Sequence, residues 1–124
     1  MSTPLDTLQL DGWHLDYFTG LALGYEMEIP NSGAGPAYRK GWGHRSFAPT
    51  FNGISADLHP VLLKMTTLMR GADGNTDWMA RAERCFHFAR GNTPAVAMCR
   101  ALVLSIFGKT VLLPVADDCE DLFA

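Results

Sequence analysis

The sequence predicts an α+β fold: two main helices, at about 12–23 and 94–107, packed on a small, mostly antiparallel sheet, with a long central loop. Three observations predict it. In "DGWHLDYFTGLALG" apolar side chains recur at three- and four-residue steps, the period of a helix with one buried face. "NTPAVAMCRALVLSIFG" opens on a helix-start signal and stays apolar or small almost throughout. "YEMEIP", "WMARAERCFHFAR" and "KTVLLP" alternate or run apolar between turn residues, as short strands do.

The first helix is expected to start at Asp11, whose carboxylate can accept from first-turn amides, and to end at Gly24, suited to a left-handed terminal position. Trp13, Tyr17, Leu21 and Phe18 define its predicted apolar face. Gly20 inside it disfavours helix by up to about 1 kcal/mol, which implies either a closely packed neighbour or a loose helix. After the "YEMEIP" strand, "NSGAGP" reads as a turn, and the aromatic and cationic 38–52 segment shows no period. "SADLHPVLLKMTTLM" fits a helical turn followed by a strand or a second helix. "GADGNTD" is a turn cluster. "WMARAERCFHFAR" places Trp78, Ala80, Ala82, Phe86 and Phe88 on one side of a strand, with an interruption near Arg84. Thr93 as N-cap, Pro94 at the first helical position and Gly108 as terminator frame the second helix.

Arg100 is the one charge in that helix. An ion left alone in an interior costs several kcal/mol, so it must reach water along its aliphatic stem or meet a partner. Asp16 is the only acid inside the first helix, and an Asp16–Arg100 pair clamping the two helices is the expectation.

A chain of 124 residues with 48% hydrophobic and 19% charged side chains suits one folded domain over 1–124. The net charge of −3 gives no general attraction to double-stranded nucleic acid or acidic membranes, and no apolar run approaches the ~20 residues of a membrane span. Basic residues nevertheless dominate from Lys64 to Lys109, and the tail at about 116–124, "ADDCEDLFA", is acidic. Three cysteines without C-x-x-C spacing argue against a disulfide framework and a zinc site, and for a reducing compartment. "MSTPLDTLQLDG" lacks the cationic and apolar regions of a signal peptide, so a cytoplasmic location is expected.

"NTPAVAMCRALVLSIFGKTVLLP" and "LDGWHLDYFTGLALGYE" together resemble a family of small bacteriophage and prophage proteins typified by the nin-region X protein of lambdoid phages, a domain of unknown function. The matching positions are Leu15, Asp16, Tyr17, Thr93, Pro94, Met98, Arg100 and Gly108. The resemblance implies a phage or prophage origin, a bacterial host and an accessory role, without implying a reaction.

The most site-like segment is 38–52. Arg39, Trp42, His44 and Arg45 mix aromatic faces, which stack on bases, with cations, which hold phosphates. The start of the Thr93 helix offers amides and a positive dipole end to an anion, with Arg90 nearby. The segment 38–52 could equally close the core with its aromatics. Asp57 and His59 could share a strand face for a metal but have no third ligand, and no glycine-rich phosphate loop is present, so neither metal nor cofactor is expected. Cys85 and His87 would share a strand face as a nucleophile pair. The expected function is non-catalytic binding of a small anionic or nucleotide-like ligand or a host protein. The alternatives are a homo-oligomeric interaction module, built on the apolar 94–107 helix as a homodimer interface, and a small hydrolase.

Overall fold

A computed structural model describes residues 2–28, 38–39, 58–70 and 77–114. The order is β1 (Ser2–Asp6), a 3-10 turn (Thr7–Gln9), α1 (Gly12–Ala22), β2 (Met27–Glu28), β3 (Tyr38–Arg39), α2 (His59–Leu62), β4 (Met65–Arg70), β5 (Trp78–Ala82), β6 (Ala89–Gly91), α3 (Pro94–Phe107) and β7 (Thr110–Pro114). The class is α+β. The single small sheet that was expected is three antiparallel ones among the described residues: β1–β7, β2–β3 and β4–β5–β6.

Helix α3 is the central element. It packs against β5 and β6, against α1, and against the 3-10 turn. Its start is built as the sequence predicts: the Thr93 hydroxyl accepts from the Val96 amide at 3.1 Å, and Pro94 occupies the first turn. Its end falls at Gly108, whose φ of 86° is the left-handed region that glycine enters freely. From Ala95 to Leu104 every α3 residue except Arg100 is buried. Over that stretch the helix is covered by its own chain, whereas Ile106 and Phe107 in its last turn are exposed.

The sheet that meets α3 presents small residues. Ala80 and Ala82 on β5 and Ala89 on β6 are fully or almost fully buried. A Cβ on Gly91 would lie 2.6 Å from the Ala97 amide nitrogen and 2.8 Å from Val96 Cγ1, so glycine is what lets β6 approach the first turn of α3. The interruption expected near Arg84 is a chain reversal. β5 ends at Ala82, Arg84 takes φ 64°, and β6 returns antiparallel with Trp78 opposite Gly91. Phe86, expected on the buried side, lies in that connection and is 87% exposed. Over 58–70 the chain forms the four-residue α2 followed by β4, a strand rather than a second long helix, while the helical turn expected up to Leu58 lies largely outside the described residues. Near its start β4 carries a bulge, where the Thr66 hydroxyl donates to the Arg81 carbonyl at 3.1 Å.

Helix α1 ends one residue short of the expected 12–23, and of its expected face Phe18 alone is buried. Leu15, Phe18 and Thr19 point inward, with Asp16 and Gly20, whereas Trp13, Tyr17 and Leu21 are half-buried at the core edge. The smaller residues face inward because neighbours approach closely. The Met27 side chain lies where a Cβ on Gly20 would be, which explains that glycine. The C-terminus closes with Gly24 (φ 87°): its amide donates to Leu21 O at 3.0 Å and the Tyr25 amide to Gly20 O at 2.9 Å.

Strand β1 has no prediction, nor do the 3-10 turn and β3, which falls in the segment read as without a period. Strand β1 pairs with β7 from Ser2 opposite Pro114 to Asp6 opposite Thr110, joining the chain's first described residues to its last. The fully buried Thr7 completes the join: its hydroxyl donates to Gly108 O at 2.6 Å and its amide to Lys109 O at 2.9 Å. Among the described residues no helix is long and apolar enough to cross a membrane.

Candidate functional site

Arg100 lies on α3 and points toward the start of α1. Its Nε donates to the Leu10 carbonyl at 2.6 Å and its Nη1 to the Arg90 carbonyl at 2.7 Å, so one guanidinium ties the turn before α1 to β6. Burial pushes the Arg100 pKa down from its ordinary value, and the carboxylates of Asp11 and Asp77 act in the opposite direction. These hydrogen bonds give Arg100 main-chain partners where the sequence led to an expectation of the Asp16 carboxylate. Asp16 is buried on α1 and acts on Cys99, one residue before Arg100 and about 100° away around the helix.

The Cys99 thiol is fully buried, and desolvation pushes its pKa up to about 12, with the Asp16 charge adding to the rise. The Thr19 hydroxyl beside it acts in the opposite direction, more than the Asp16 charge does, though its geometry falls short of a hydrogen bond. A thiol held neutral in this way is a core side chain rather than a nucleophile.

Around Arg100 opens a cleft of about 570 Å³, where the 3-10 turn and the start of α1 face β6 and the start of α3. Gln9, Asp11, Asp77, Arg90, Asn92 and Arg100 give it polar walls. Its charges balance, two carboxylates against two guanidiniums, so it offers both donors and acceptors. Asp11 is at the N-cap position of α1, as expected, yet makes no side-chain cap bond. The carboxylate lines the cleft instead.

The start of α3 borders the cleft through Asn92 and Val96, but its capacity for an anion is largely used. Pro94 has no amide proton, the Val96 amide goes to the Thr93 hydroxyl, and the Ala97 amide goes to the Thr93 carbonyl at 3.1 Å. Thr93, expected among the ligand contacts, is thus engaged as a cap. Arg90 and Arg100 are the cationic residues that line the cleft among the described residues. Arg39 belongs to β3, with its side chain outside the described residues, and Trp42, His44 and Arg45 lie outside them altogether.

The pair Cys85–His87 is not on a strand. Both residues lie in the connection between β5 and β6, and the Cys85 thiol faces the His87 carbonyl at 3.7 Å rather than the imidazole. This corrects the shared strand face. His59 is exposed at the start of α2, and Asp57 lies outside the described residues.

Sequence reasoning missed Asp11, Asp77 and Gln9 as cleft residues. Local signals explain why: Asp11 reads as a cap and Asp77 as the end of a turn cluster. Only the packing of α3 against both chain entries brings them to Arg100. The chain was compared with known protein-family models and with curated proteins, and it matches none of them.

Proposed function

We propose that the protein acts by binding a small anionic or nucleotide-like ligand in the Arg90–Arg100 cleft, without catalysing a reaction on it. The observation that carries this reading is the half-buried Arg100 guanidinium, anchored by two main-chain carbonyls in the wall of an open polar cleft. An anchored guanidinium loses little conformational freedom when an anion arrives, and Arg90 adds a second fork-shaped donor. Asp11, which makes no cap bond, offers an acceptor to hydroxyl or amino groups, which a nucleotide carries beside its phosphate. The cleft's size falls within the range of small-molecule sites. The sequence resemblance adds the setting: an accessory protein of a phage or prophage, acting in the cytoplasm of a bacterial host.

Native mass spectrometry of the protein purified from a bacterial host tests this. The expected result is a carried-over mass of a nucleotide or small anion that disappears in Arg90→Ala. Bare protein across independent preparations, or an adduct indifferent to Arg90→Ala, contradicts the reading.

A further inference from the structure

A second cavity, of about 460 Å³, shares no lining residue with the cleft among the described residues. Its floor is apolar. Leu102 and Ile106 come from one face of α3, and Ala22 and Ala82 contribute only methyl groups, so the space exists because both positions are small. Ile106 is 57% exposed there, and among the described residues no larger side chain fills the space.

The polar wall is cationic. Lys64 Nζ lies 4.0 Å from Glu83 Oε1, so these two largely answer each other. Arg84 also lines the cavity, and among the described residues nothing pairs with its guanidinium. Its φ of 64° makes it the one non-glycine among the described residues in the left-handed region, where a Cβ is disfavoured and glycine is not. That conformation turns the chain from β5 toward β6 and holds Arg84 at the cavity's edge. The Ser105 hydroxyl donates to Leu102 O at 2.8 Å, so recognition of an anionic head falls to Arg84, supported by Lys64.

We propose that this cavity binds a small amphipathic monoanion of the medium-chain carboxylate class. Its carboxylate pairs with the Arg84 fork, and its hydrocarbon tail covers Leu102, Ile106 and the two alanines. The proposal stands independently of the cleft.

The test is an amide NMR titration of the full chain with octanoate, octylamine and octanol. Saturable octanoate shifts at Ala22, Ala82 and Leu102 are expected, with octylamine and octanol weaker by about tenfold or more. Arg84→Gly is expected to weaken octanoate about tenfold while raising the thermal midpoint, because it removes the head-group contact and the backbone strain together. Ala22→Leu, which fills the half-buried end of the cavity, should abolish binding in a folded protein. Absence of octanoate binding, equal binding of octylamine, shifts mapping elsewhere, or unchanged affinity in Arg84→Gly would each overturn the proposal.

Discussion

Arg100 shows how one side chain can be foreseen as important while its partner is not. That the guanidinium needs company follows from an apolar helix; which groups supply it depends on where the 3-10 turn and β6 arrive in space. Its two hydrogen bonds satisfy carbonyls of Leu10 and Arg90. Arg100→Ala is expected to destabilise the fold by roughly 2–4 kcal/mol in urea unfolding, since it orphans two acceptors at once. Arg100→Lys should recover only part of this, because an ammonium cannot reproduce the fork. In double-mutant cycles Arg100 should couple more strongly to Asp11 or Asp77 than to Asp16. The reverse order would restore the helix–helix clamp. Cys99 gives a pH signature. Its pKa rises from the ordinary 9.0 to about 12 in the folded chain. Below pH 9 both folded and unfolded chains hold the proton, and the stabilisation is complete; between 9 and 12 only the unfolded chain releases it, so stability falls as pH rises. Burial shifts Tyr17 in the same direction. The check is therefore a comparison: between about pH 8 and about pH 10.5 the loss of urea midpoint should be smaller in Cys99→Ala than in the parent. Parallel losses would contradict a neutral buried thiol.

At the scale of elements, what was legible was local. Thr93, Pro94 and Gly108 bound α3 through cap, fixed φ and left-handed exit, all carried by neighbouring residues. The face of α1 was legible only in part: periodicity selected Phe18, which is buried, with Trp13, Tyr17 and Leu21, which stay half-buried, and it missed Leu15 and the close-packed Thr19 and Gly20. Strand β1 was missed because "STPLD" alternates weakly and contains a proline; its pairing with β7 is a long-range event that no local window contains. The two buried glycines separate these influences. Gly91→Ala puts a methyl against the main chain of Ala97, which cannot yield, and a loss of about 2 kcal/mol or more is expected. Gly20→Ala meets only the flexible Met27 side chain and gains up to about 1 kcal/mol of helix propensity, so its net effect should stay within about 1 kcal/mol. Thermal or urea unfolding of the two variants checks the contrast, and equal losses would refute the packing argument.

For the whole molecule, closure of β1 on β7 and the Thr7 contacts to Gly108 and Lys109 hold both described ends of the chain to α3. Removing residues 1–6 would unpair β7 and uncover Val111 and Leu113, so the truncated chain should unfold at markedly lower urea with the loss spread through the domain rather than confined to its ends. The same architecture brings the turn before α1 against β6, and with it the cleft in which Arg90, Arg100, Asp11 and Asp77 meet. The most direct test of the binding role is an amide NMR titration of the intact protein with a nucleoside monophosphate. The account predicts saturable shifts at Gln9, Gly12, Gly91 and Asn92 that Arg90→Ala weakens without unfolding the protein. Shifts absent from those four amides, or unchanged by Arg90→Ala, would contradict it.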